Sequence, residues 1–157
     1  MEPQARARGL LLSNEKIFVL AGGHCGDGPL ADVWLGSRGP AGTRWTEVKQ
    51  QSLPLDTPFW PLKNRMDYAG CLLGDFLFVF GGISLDGEAI AVLNDLWCLD
   101  LRSGIWRCIT EEAPCSERSS HVAVGVPPLL DRDGATVSSG DKGCIVIHGG
   151  ECLNRQM

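Results

Sequence analysis

Histidine, cysteine and carboxylate side chains at close spacing are what a metal centre requires, and this chain offers them at His24-Cys25, at His148 and at Glu151-Cys152. The pattern falls short of a site. None of the seven cysteines stands in a C-x-x-C pair, and Cys25 and Cys152 occupy the same place, two residues past a glycine pair, in segments a whole repeat unit apart. Two thiols so separated share neither a disulfide nor a tetrahedral zinc. No metal and no other cofactor is therefore expected, and His148, inside an apolar run, reads as a core histidine. Catalytic machinery is equally hard to assemble: there is no nucleophile elbow, no Walker loop and no paired-carboxylate motif. No residue is assigned a catalytic role.

What remains is chemistry of recognition. Arg6, Arg65 and Arg118 head three similar segments, and each guanidinium can either face a partner or hydrogen-bond strand ends within the scaffold. Arg8 has no counterpart in the other segments and is the freer of the arginines. Phe59-Trp60, in a proline-rich stretch, is either a binding anchor or a plug over the junction beneath it. A formal charge of -5 argues against a nucleic-acid backbone or a membrane surface as the partner.

The elements that position these residues recur along the chain. The apolar run Phe76-Leu77-Phe78-Val79-Phe80 ends in Gly81-Gly82; Ile17 to Gly22-Gly23 repeats it upstream, and Cys144 to Gly149-Gly150 downstream. Asp95-Leu96-Trp97 repeats Asp32-Val33-Trp34, and Trp106 is matched by Trp45. Such repetition sets the architecture before local propensity does. The β-branched and aromatic runs, with little alternation, read as strands buried on both faces. The glycine pairs supply positive φ and close backbone approach. Trp97 and Trp106 are expected to pack unit against unit or to lock the outer strand, each burying on the order of 150 to 250 Å².

With those residues in that order, the sequence resembles the kelch repeat family over residues 5 to 152. The resemblance implies an all-β fold, a partial kelch-type β-propeller of about two and a half four-stranded antiparallel blades. Blade one would span 5–48, a linker loop 49–64, blade two 65–112 and an incomplete third blade 118–152. No Asp-x-Trp follows the last glycine pair, so the chain reads as a fragment or truncated form of a larger propeller. Kelch relatives serve as substrate receptors, actin binders or scaffolds, which implies a non-catalytic protein–protein interaction module. In the family's strand order one face would carry Arg6, Arg8, His24, Arg65, Asp67, Ser84, Asp86, Arg118 and Ser120.

The alternative implied by the same resemblance is a piece of a propeller enzyme, a sugar mutarotase or a galactose-oxidase-like protein. The copper-radical centre of the latter needs two tyrosines, and Tyr68 stands alone. The twenty glycines and nine prolines fit an all-β chain with many turns. The N-terminal apolar stretch is too short for a secretion signal, and an odd number of cysteines fits free thiols in a reduced compartment, cytoplasmic or nuclear. Blade faces left bare are expected to promote self-association.

Overall fold

The computed structural model describes residues 2–52, 62, 65–84, 90–128 and 143–152. Twelve strands and no helix occupy the described residues, in three sheets that follow one another along the chain. Sheet one is an antiparallel meander of β1 (Leu10–Ser13), β2 (Phe18–Cys25), β3 (Gly28–Gly39) and β4 (Gly42–Glu47), in that order. The chain turns at His24 to Pro29 in a tight hairpin: β2 and β3 pair out to Cys25 and Gly28, so Gly26 and Asp27 alone make the turn. The φ of +126° at Gly28 lets the returning strand begin at once.

Sheet two contains β6 (Arg65–Met66), β7 (Ala69–Leu73), β8 (Phe76–Ser84), β9 (Ala91–Asp100) and β10 (Ile105–Thr110). β6 and β7 both pair with β8, so together they form one innermost strand broken at Asp67-Tyr68. An additional strand completes the sheet. The stretch expected to be an extended linker starts as β5 (Gln51–Ser52), which runs parallel to β10 on the outer edge. Two residues with ordinary propensities give no sequence signal; the backbone of Gly104, whose carbonyl accepts from Gln51 N at 2.7 Å, supplies the reason. Phe59, Trp60 and Asp86 lie outside the described residues. Sheet three is the pair β11 (Ser119–Val126) and β12 (Cys144–Glu151).

The core lies between sheets one and two. Val19, Ala21, Val33 and Val48 meet Leu77, Val79, Leu99, Leu101 and Trp106, with Tyr68 and Leu62 among them. Trp106 is fully buried there and donates its indole N–H to Gln50 Oε1 at 2.8 Å, which satisfies its polar atom. Trp45, at the same repeat position, lies on the side of sheet one that faces no other sheet among the described residues; it is only half-buried and covers Gly36.

The glycine pairs explain how sheets sit so close. A side chain on Gly82 would meet the carbonyl of Met66 and the backbone of Tyr68, within the same sheet. One on Gly81 would meet the Arg118 and Leu93 carbonyls and the His121 ring, so the first glycine of the pair seats the next sheet's incoming strand. Both have positive φ, and the ladder between β8 and β9 slips register at this point, as between β2 and β3 at Gly22.

One sequence expectation is overturned by burial. His148 is not a core histidine; it is exposed, as are its alternating neighbours Cys144 and Val146. Phe80, its counterpart in sheet two, is buried because His121 of sheet three covers it, with ring centroids 5.2 Å apart. Among the described residues nothing plays that role for His148.

Candidate functional site

Among the described residues three non-glycine positions have positive φ: Arg8 (55°), Asp67 (53°) and Ser120 (55°). Each stands two residues after the head arginine of its segment, so the left-handed turn is a repeat feature and Arg8 does have counterparts. Unlike side chains at the three positions hid the equivalence in the sequence. A non-glycine residue in this region costs on the order of 1–3 kcal/mol and persists where the surroundings over-determine it. Here they do. Ala7 and His24 exchange two backbone hydrogen bonds of 2.9 Å on one side of Arg8, and Ser120 N donates to Asp67 O at 2.9 Å.

These turns lie at one end of the sheets, where β2, β8 and β12 finish and the innermost strands enter. Arg8 Nη1 reaches across the boundary between sheets one and two to Asp67 Oδ2 at 3.1 Å and to Met66 Sδ at 3.7 Å. Its side chain keeps 60% of its surface in water, against 20% for Asp67. Exposed His24 is beside Ala7, exposed Ser120 follows Asp67, and Ser84 pairs in register with Arg65. The structure thus gathers Arg8, His24, Asp67, Ser84 and Ser120 at this end.

The head arginines are different. Arg6 Nη1 and Nη2 grip both oxygens of Asp32 at 2.6 and 2.9 Å, Nη1 also donates to Gly22 O at 3.0 Å, and Trp34 Nε1 donates to Asp32 Oδ2 at 2.6 Å. Sheet two repeats the arrangement: Arg65 holds Asp95 at 2.7 and 2.6 Å and Gly81 O at 2.9 Å, with Trp97 Nε1 on Asp95 Oδ2 at 2.6 Å. Only 5% of either arginine side chain is exposed. The choice between partner contact and strand-end bonding is therefore corrected to the scaffold for Arg6 and Arg65. Burial alone would raise the Asp32 carboxyl, but the hydrogen bonds from Arg6 and Trp34 outweigh it and hold it below the usual range. Sequence reasoning named Asp32 and Asp95 as motif letters and missed their function, although the recurrence of Arg and Asp-x-Trp together in the first two units carried the signal.

Among the described residues, sheet three has the arginine without the acid. Arg118 Nη1 donates to Gly149 O at 2.9 Å, as its counterparts do to Gly22 and Gly81, while Nη2 turns to Ser116 Oγ at 3.0 Å and Nε to Ser116 O at 3.2 Å. Two residues on from Ser119, His121 occupies the position of Tyr68. The Tyr68 hydroxyl donates to Ala21 O at 2.9 Å, and burial pushes its pKa up. His121 is 7% exposed, and neither ring nitrogen has a hydrogen-bond partner among the described residues. Burial first, and then the charge of Arg118, hold it below the usual imidazole value, with the nearby Phe80 carbonyl opposing.

The cysteines bind locally. Cys25 Sγ donates to Gly28 O and Cys152 Sγ to Glu117 O, and no group of three metal-ligating side chains occurs among the described residues. All seven thiols are free; burial lifts those of Cys71 and Cys98 to about 11.

No protein-family model matches the chain. A stretch of 64 residues, 39% of this chain, is 36% identical to the tRNA wybutosine-synthesizing protein 2/3/4 of Arabidopsis thaliana, of which it covers 6%. A stretch of 62 residues is 29% identical to the negative regulator of sporulation PMD1 of Saccharomyces cerevisiae, 38% of this chain and 4% of that protein. The chain thus spans a small part of the relatives it matches. The structure is similar to that of YjhT, with a TM-score of 0.58 and 20% identity over 77% of this chain and 32% of that one. That likeness concerns the fold alone: the chain is an all-β, propeller-like arrangement of antiparallel sheets.

Proposed function

We propose that this chain is a segment of a kelch-type propeller, two four-stranded blades and the first half of a third, and that it works as a non-catalytic protein–protein interaction module. The observation that carries the reading is the set of three left-handed, non-glycine turns at Arg8, Asp67 and Ser120. Backbone strain repeated at one end of successive sheets, with chemically unlike side chains upon it, two of them exposed, suits a scaffold that holds its fold constant and varies its contacts. The partner is another protein, met by Arg8, His24, Asp67, Ser84 and Ser120. The seven unpaired thiols support a reducing compartment, cytoplasm or nucleus.

The test is affinity capture with the complete gene product. Replacing Arg8→Ala together with Asp67→Ala removes an ion pair whose arginine is open to solvent, worth no more than about 1 kcal/mol, so circular dichroism and melting should stay near wild type. Partner capture should fall. An unchanged set of captured proteins would remove this face from consideration.

A further inference from the structure

We propose that His121 is an acid-sensitive latch between sheets two and three: when its imidazole takes up a proton, β11 lets go of β7 and β8 while sheets one and two stay joined. The latch lies inside a sheet boundary and is independent of the partner-binding reading above. One repeat position is filled in two ways. At the boundary of sheets one and two it holds Tyr68, whose hydroxyl is kept protonated by burial and donates to the Ala21 carbonyl. At the boundary of sheets two and three it holds His121, a flat ring that can take up charge close to neutral pH.

The ring sits where a charge is poorly received. It is buried, stands edge-on to Phe80 of β8 at 80°, and lies so close to Gly81 that a side chain there would come within 3.2 Å of its Cε1. Neither nitrogen has a hydrogen-bond partner among the described residues, and an imidazolium carries an N–H donor on each. The charged groups around it offer no relief. Arg118, on the same segment, repels a second positive charge; the Phe80 carbonyl favours the proton but is outweighed by burial and by Arg118. β8 has no ionisable side chain, and Cys71, the one on β7, is a thiol that burial keeps neutral. Both oxygens of Asp95 are held by Arg65, Asp67 is taken by Arg8, and on β12 His148 and Glu151 are exposed.

Separating β11 from β7 and β8 wets the ring. The backbone bonds that this breaks stand at the head of β11, from Gly82 N to Arg118 O at 2.9 Å, from Arg118 N to Leu93 O at 3.1 Å and from Ser120 N to Asp67 O at 2.9 Å. The apolar core between sheets one and two includes no residue of β11 or β12, so it survives the opening. His24 and His148 are exposed in the closed form already, and opening changes the surroundings of neither. His121 alone among the three histidines therefore couples a proton to this movement.

Hydrogen–deuterium exchange of the 157-residue chain at pH 7.5 and 5.5, corrected for the intrinsic pH dependence of amide exchange, tests the latch. An open-state imidazole of ordinary value, about 6.5, sets the ceiling: the opening constant can rise by at most about tenfold between the two pH values. A rise of at least about threefold is expected in β11 and β12, with β2 and β3 unchanged. His121→Phe, which keeps an aromatic ring and removes both nitrogens, should abolish the rise. An equal rise in all three sheets, no rise in β11, or a rise that survives in His121→Phe overturns the proposal. Should the variant fail to fold, the contrast between β11 and β2 in the wild-type chain decides.

Discussion

At the scale of single residues, two buried side chains at one repeat position face different fates. Tyr68 reaches the Ala21 carbonyl, whereas His121 leaves both nitrogens unsatisfied, and a buried polar atom without a partner costs about 1–3 kcal/mol. Because the folded state depresses the pKa of His121, a second, protonation-linked loss is added only below about 6.5; above it both states are neutral. As pH falls through that value the unfolded chain takes a proton that the folded chain resists, and stability is lost. His121→Tyr should raise the melting temperature and remove this loss between pH 7.5 and 5.5. A pH profile of melting identical in variant and wild type would count against it. None of this was legible in the sequence: His148 sat in the more apolar run and was expected inside, but burial depends on which sheet stands opposite, and a single segment does not carry that information.

At the scale of elements, the repeat made the strands readable and their partners unreadable. Apolar runs, glycine pairs and spaced tryptophans located β2, β8 and β12 correctly, since local sterics and burial act on neighbouring residues. The pairing of Arg6 with Asp32 and of Arg65 with Asp95 spans 26 and 30 residues, and it emerged only when both strands were in one sheet. The same dependence on neighbours separates the two outer tryptophans. Trp106→Ala opens a cavity in the boundary between sheets and should cost about 3–5 kcal/mol, the usual range for a buried large aromatic. Trp45→Ala, half-buried over Gly36, should cost under about 2 kcal/mol. Urea titrations of the two variants measure the contrast, and equal losses would show that the boundary does not hold the core.

At the scale of the molecule, the far face of sheet three is apolar and bare. Val122, Val124, Val126 and Val146 are 60%, 57%, 39% and 49% exposed, in two paired strands. A patch of that kind on a two-stranded sheet favours association. Size-exclusion chromatography should show the wild-type chain eluting as mixed or larger species, and Val124→Lys with Val146→Lys should shift it toward monomer. A sharp wild-type monomer peak would refute the expectation. β5 has a different consequence, which concerns the nascent chain. Gln51 and Ser52 leave the ribosome well before their partners Ile105 and Trp106, and at ordinary elongation rates the wait is ~3–10 s. During that interval the finished first sheet carries a loose strand, and Gln50, already anchored to Ala31 O through its amide, holds its other end ready for the Trp106 indole. The junction of the two sheets is therefore closed late and from the outside, by the last strand of the second sheet to be synthesised.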